Sequence, residues 1–116
     1  MSVAEMAYWL ATTDAKLTFI GEPPNPLSPR SAPTTYLTYC TKRAGNVCGG
    51  VCTIYNGGAQ CIYAPNTECM SATQDVGFCD EKGCNGNCSS LSQCGTLLDA
   101  GFCYTPGTES IVIASI

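Results

Sequence analysis

The residues of this chain best suited to chemistry are its ten cysteines, Cys40, Cys48, Cys52, Cys61, Cys69, Cys79, Cys84, Cys88, Cys94 and Cys103. Cysteine can act as a nucleophile, a metal ligand or a cross-link, and the surrounding sequence discriminates among these uses. The chain has no histidine, so Ser-His-Asp, Cys-His and histidine-metal catalysis have no base or ligand to work with. Neighbouring cysteines stand no closer than C-x-x-x-C, as in Cys48–Cys52 and Cys84–Cys88. The C-x₂-C knuckle that structural zinc sites favour is therefore missing. Ten cysteines in 116 residues instead fit a disulfide scaffold. Such bridges persist in oxidising surroundings, which places the protein outside the cell, secreted or associated with a cell wall. Each native bridge contributes about 2–5 kcal/mol, comparable with the whole stability of a small domain.

Other reactive side chains are sparse. Asp75, Asp80, Glu81 and Asp99 are the carboxylates from which a glycosidase-like pair would be drawn. All four fall in predicted turns, where solvated acids are ordinary, and the reading is of a non-enzyme with no catalytic residue and no cofactor. Asp80 to Asn87 gathers oxygen ligands but lacks the D-x-[DN]-x-[DN]-G order and closing Glu of a calcium loop. Asn87-Cys88-Ser89 is an N-glycosylation sequon, consistent with secretion. Pro29-Arg30 before Ser31 resembles a kexin-type processing site that would release residues 1–30; the alternative is a plain linker arginine. Lys42-Arg43 is the candidate loop for a protease inhibitor, set against a solvated turn. Aromatic rings stack on sugars, and Tyr39, Tyr55 and Tyr104, beside predicted turns, are the expected binding residues, with Trp9 and Phe19 assigned to the core.

Charge narrows the partners further. Charged residues are 12% of the chain and the formal net charge is −4. Five scattered Lys and Arg build no basic footprint for nucleic acid. No stretch reaches transmembrane length. Residues 1–11 lack a basic start and Glu5 interrupts them, so secretion is expected to require a leader already removed.

The cysteines divide into two sets of five, Cys40 to Cys69 and Cys79 to Cys103, each with one C-x-x-x-C step. Gly77-Phe78-Cys79 echoes Gly101-Phe102-Cys103. The matching order points to a degenerate internal repeat, with coincidence in a Cys- and Gly-rich region as the alternative. Five per half cannot all pair within their half, so an odd number of bridges must join the two. Ten cysteines allow about 945 pairings, and spacing does not choose among them.

The elements that must position these residues are short strands and turns. Segments 6–12 and 15–20 read as two strands, with a helix over 3–11 as the alternative for the first. Residues 21–33 hold five prolines and form a surface connector. Thr34 to Cys40 is a strand with Tyr36, Thr38 and Cys40 on one face and Leu37 and Tyr39 on the other. Further β segments are expected at 51–55, 60–63, 76–79 and 101–104, divided by Asn56-Gly57-Gly58, Ala64-Pro65-Asn66, Lys82-Gly83 and Asn85-Gly86. Residues 90–94 and 96–99 each suit one helical turn. The β-branched run Ser110–Ile116 should be a strand, paired with the N-terminal segment or with 34–40. The expected organisation is an N-terminal β arm and connector over 1–33 and a disulfide-stabilised, mainly β unit over 34–116.

The stretches 46–61 (Asn-Val-Cys-Gly-Gly-Val-Cys-Thr-Ile-Tyr-Asn-Gly-Gly-Ala-Gln-Cys) and 101–108 (Gly-Phe-Cys-Tyr-Thr-Pro-Gly-Thr) resemble fungal small secreted cysteine-rich proteins, an effector-like group, over about residues 34–112. The resemblance implies secretion and a disulfide fold and transfers no catalytic residue. Hydrophobins and hevein-like chitin-binding modules match poorly, because both need adjacent cysteine pairs. The functional expectation is a secreted interaction protein that presents loops to a protein or glycan. The alternatives are a surface protein that assembles with copies of itself by exchanging 110–116 or 1–20, and a protease inhibitor.

Overall fold

The N-terminal segment departs first from expectation. In a computed structural model, which describes residues 3–13, 15–20, 35–57 and 60–113, Val3–Thr12 is a helix, α1, in place of the strand expected at 6–12. Ala, Met and Leu favour the helix, and Met6, Trp9 and Leu10 fall at the i, i+3, i+4 spacing of one helical stripe. Met6 is wholly buried and its Sδ meets the Thr38 hydroxyl at 3.5 Å. Trp9 packs on Phe102 with ring centroids 4.7 Å apart. The proline-rich connector and Arg30 lie outside the described residues.

Among the described residues seven strands form one sheet: β1 Lys16–Ile20, β2 Thr35–Ala44, β3 Val47–Gly57, β4 Gln60–Ala72, β5 Gly77–Glu81, β6 Asn85–Ser90 and β7 Cys103–Ile113. The order across the sheet is β1-β3-β2-β4-β7-β5-β6. Only β1 runs parallel to its neighbour, β3. Mainly β architecture with one short helix agrees with the sequence, but β2, β3, β4 and β7 are long, at 10, 11, 13 and 11 residues. Asn85-Gly86, expected as a turn, opens β6. Ala64-Pro65-Asn66 bends β4 without ending it. Single 3₁₀ turns occur at Lys82–Cys84, Leu91–Gln93 and Asp99–Gly101.

The C-terminal strand does not pair with the N-terminal segment or with β2. β7 lies inside the sheet, bonded to β4 on one side and β5 on the other. Ser110, Ile111 and Val112 are thereby paired on both edges, which closes that part of the strand to pairing with another chain. The same placement sends Ile111 and Ile113 into a core cluster with Leu37, Tyr55, Ile62, Met70 and Val76. The opposite face holds Trp9, Leu98 and Phe102 against four half-cystines, Cys40, Cys48, Cys52 and Cys69. The alternation read in β2 is the division between these faces. Leu37 and Tyr39 belong to the first cluster. Cys40 belongs to the second, and Thr38 points to Met6.

All ten cysteines are bridged, as Cys40–Cys52, Cys48–Cys69, Cys61–Cys84, Cys79–Cys88 and Cys94–Cys103. Only Cys61–Cys84 joins the first five to the last five, which meets the odd-number requirement at its minimum.

The sheet order is unchanged in pattern when β2, β3 and β4 are exchanged for β5, β6 and β7. Cys40 faces Cys52 and Cys79 faces Cys88, each a bridged cross-strand pair with Cα atoms 4.1 Å apart. The register then slips in both hairpins, before Lys42↔Gly49 in one and Glu81↔Asn85 in the other. Within the slipped turns Gly50 and Gly86 take φ of 85° and 79°. A Cβ on Gly50 would meet Lys42 Cβ at 2.9 Å, so this bulge needs glycine for both conformation and space. At the β4·β7 seam, Tyr63-Ala64-Pro65-Asn66-Thr67-Glu68 meets Tyr104-Thr105-Pro106-Gly107-Thr108-Glu109, and Thr67 pairs with Thr108. Both put Pro second and a positive-φ residue third in a four-residue corner, with Asn66 at 61° and Gly107 at 77°. Both close it by a threonine hydroxyl, Thr67 Oγ1 donating to Ala64 O at 2.9 Å and Thr108 Oγ1 to Thr105 O at 2.8 Å. Exchanging the corners carries the pair Tyr63↔Ser110 onto Cys69↔Tyr104 and Ile62↔Ile111 onto Met70↔Cys103, all of them observed. The Gly-Phe-Cys echo has no such counterpart: Cys79 corresponds to Cys40, whereas Cys103 opens β7.

Candidate functional site

A cleft lies where α1, the β2–β3 hairpin and the Asp99–Gly101 turn meet. Its volume is about 540 Å³ and its lining includes Trp9, Thr12, Thr13, Lys42, Val47, Gly49, Gly50, Asp99 and Ala100. A second depression of about 460 Å³, lined by Ala4, Glu5, Tyr8, Trp9, Thr12 and Ala100, shares Trp9, Thr12 and Ala100 with it. Together they form a groove running along α1 with Trp9 at its floor.

Local chemistry explains each wall. Thr12 Oγ1 folds back onto Tyr8 O at 2.9 Å and Thr13 N donates to Trp9 O at 2.9 Å, ending the helix at the groove. Gly49 presents bare backbone, since a Cβ there would meet nothing within 4 Å. Ala100 holds φ of 60°, uncommon for a residue with a Cβ, in the turn opposite. That turn is moored by Asp99 N donating to Asn46 O at 2.8 Å, by Leu98 N to Phe102 O at 2.7 Å, and by the Cys94–Cys103 bridge. Ser71 Oγ adds a bond of 3.0 Å to Gly101 O. The result is an apolar lining rimmed by hydroxyls, one lysine and two carboxylates.

Of the three tyrosines expected to bind, Tyr55 is buried and Tyr39 and Tyr104 are part-buried. Tyr55 is only 8% exposed and donates to Gln60 Oε1 at 2.8 Å. Tyr39 is part-buried against the first core cluster. Burial pushes its phenol above the usual tyrosine range, an effect partly offset by a hydrogen bond with Thr53. Tyr104 is part-buried beneath the Arg43 guanidinium, 4.4 Å from its ring centre. The outward rings are Tyr8 at 73% and Tyr63 at 58% exposure. Both were legible by period. Tyr8 falls off the Met6–Trp9 stripe of a helix, and Tyr63 alternates with buried Ile62 and Ala64. Trp9 is buried as expected, whereas Phe19 is 41% exposed. Leu17 reaches the Trp9 cluster, but Phe19 lies further along an edge strand.

Of the four candidate carboxylates, Asp75 and Asp80 accept hydrogen bonds within the scaffold and Asp99 lines the groove. Asp75 accepts from Ser92 N at 2.8 Å and Ser92 Oγ at 3.0 Å. Asp80 accepts from Asn87 N at 2.9 Å and Asn87 Nδ2 at 3.4 Å across the β5–β6 hairpin. No group of three or more His, Cys, Asp or Glu able to hold a metal ion occurs among the described residues. Lys42 and Arg43 sit in the ladder opposite Gly49 and Cys48, and Arg43 Nε donates to Gly45 O at 2.7 Å, so they form neither a free loop nor a turn. Asn87 is exposed on β6. No helix among the described residues is long and apolar enough to cross a membrane.

Comparison with protein-family models, curated proteins and solved structures finds no match to this chain.

Proposed function

We propose that this is a secreted, non-enzymatic recognition protein that uses a disulfide-locked β scaffold to hold the α1 groove open for a glycan or protein partner outside the cell. The observation that carries the reading is the groove itself, continuous from Tyr8 across Trp9 to Gly49. An exposed tyrosine ring beside an apolar floor and hydroxyl rim favours a saccharide, which offers one apolar face and a fringe of hydroxyls. Five bridges support an extracellular setting and keep the walls from rearranging. The fungal, effector-like affiliation rests on the cysteine-block resemblance alone.

The matched strand order, hairpin bridges and corners support a reading of residues 35–72 and 77–113 as a tandem duplication. On that reading the groove lies between the β2–β3 hairpin of the first unit, the added α1 and the Asp99–Gly101 turn of the second. Self-assembly through 110–116 finds less support, because Ser110, Ile111 and Val112 are paired on both sides within the chain.

The test is a panel of cell-wall oligosaccharides and purified extracellular proteins titrated against the oxidised protein, read by Trp9 fluorescence. A Gly49→Leu variant puts a side chain at a groove-lining position where a Cβ meets nothing within 4 Å, and it adds no second fluorophore. Saturable binding abolished by Gly49→Leu supports the proposal, and a wholly silent panel would sink it.

A further inference from the structure

The two ends of the sheet are not treated alike. In the first unit the outer edge of β3 is taken by β1, starting at the pair Lys16↔Val51. The counterpart of β3 is β6, which ends the sheet on the other side with no strand beyond it among the described residues. Its sequence, Asn-Gly-Asn-Cys-Ser-Ser, contains no charge and no proline, and residues 85–89 are exposed. A bare strand edge with none of these guards is a template for pairing with another chain. At the position matching Val51, one residue before the bridged cysteine, stands Asn87 of the sequon Asn87-Cys88-Ser89.

We infer that Asn87 carries an N-linked glycan, and that this glycan covers the β6 edge as β1 covers β3. The inference rests on the extracellular reading above, because the modification belongs to the secretory pathway. In the transfer, Asn87 Nδ2 forms a bond to the anomeric carbon of an oligosaccharide carried on a lipid pyrophosphate. The bond from that carbon to the pyrophosphate oxygen breaks, the lipid pyrophosphate leaves, and one amide proton passes to solvent through the transferase. The substituted amide keeps one N–H, which suffices for its contact with Asp80 Oδ2. Asn87 and residues 85–89 around it are exposed among the described residues, which leaves room for the attached sugar.

The test is expression of the full chain through a eukaryotic secretory pathway, followed by intact-mass measurement before and after peptide-N-glycosidase treatment. The expected result is a fully oxidised protein whose mass exceeds the polypeptide by a hexose-spaced series, which collapses on treatment with deamidation at Asn87. Ser89→Ala should be secreted with the same five bridges and none of the added mass. Sedimentation should then show the glycoprotein monomeric, and the enzyme-treated and Ser89→Ala forms associating as concentration rises. Oxidised, secreted protein with a bare polypeptide mass overturns this inference and leaves the extracellular reading standing. Protein retained in the cell with free thiols overturns both. Bare forms that stay monomeric at the highest concentration overturn the edge-covering role.

Discussion

Replacing Cys61 and Cys84 together by serine removes the one bridge between the two five-cysteine sets and tests how far covalent restraint stands in for core. The pair is separated by 23 residues. None of the other bridges offers a shorter path between the two positions, so the full loop is released. The chain-entropy relation for a loop of that size gives about 3.4 kcal/mol at 25 °C. Cys61 is exposed and Cys84 only part-buried, so the cavity contribution is small and the cross-link effect is nearly isolated. The β4·β7 ladder still joins the halves, with Ile62, Met70 and Ile111 in one cluster, so the variant should fold. Urea unfolding with the remaining bridges intact, followed by Trp9 fluorescence and far-ultraviolet circular dichroism, reads the loss. With a urea dependence of about 1–3 kcal/mol/M for small proteins, the midpoint should fall by roughly 1–3 M. The two probes should still coincide. A fall below about 0.3 M would refute the argument, because the bridge would then add almost nothing to the restraint already present.

Four further outcomes are expected. Met6→Ala, at a wholly buried site against Thr38, should lose about 2–5 kcal/mol by denaturant titration; a smaller loss would mean α1 is not docked in solution. Thr108→Val should lose about 0.5–1.5 kcal/mol by removing the hydroxyl's bond to the Thr105 carbonyl. Thr105→Ala, at a buried hydroxyl with no partner among the described residues and opposite an alanine in the matching corner, should be neutral within about 0.5 kcal/mol or stabilising. Tyr39 is held neutral by burial, so its contribution to stability is complete below the unfolded tyrosine value near 10 and declines as pH rises through its higher folded value; the late phenolate absorbance assigned to it should be lost in Tyr39→Phe.

Much of the β2 design was legible before any tertiary information. Alternation sorted Leu37 and Tyr39 from Thr38 and Cys40, and those are the two faces of the sheet. The corner sequence Tyr-x-Pro-x-Thr-Glu, present twice, carries a matching geometry that neither cysteine spacing nor the Gly-Phe-Cys echo encodes. Segment 6–12 is a short apolar stretch that fits both periods, and only docking of Met6 and Trp9 decides for the helix. Tyr55 neighbours a turn signal in the sequence, but its strand runs on to Gly57 and buries it.

Residue types alone determined the stapled β character of this chain, and counting alone required a bridge between Cys40–Cys69 and Cys79–Cys103. Which cysteines pair was decided by the sheet. Loop-closure entropy varies only with the logarithm of length, so competing pairings differ little along the chain. Strand register, by contrast, brings Cα atoms of the bridged pairs to 4.1–6.1 Å, within the short reach of a disulfide. The same long-range packing placed β7 in the interior, left β6 at an edge, and raised α1 beside the hairpin to form a groove that no local pattern encodes.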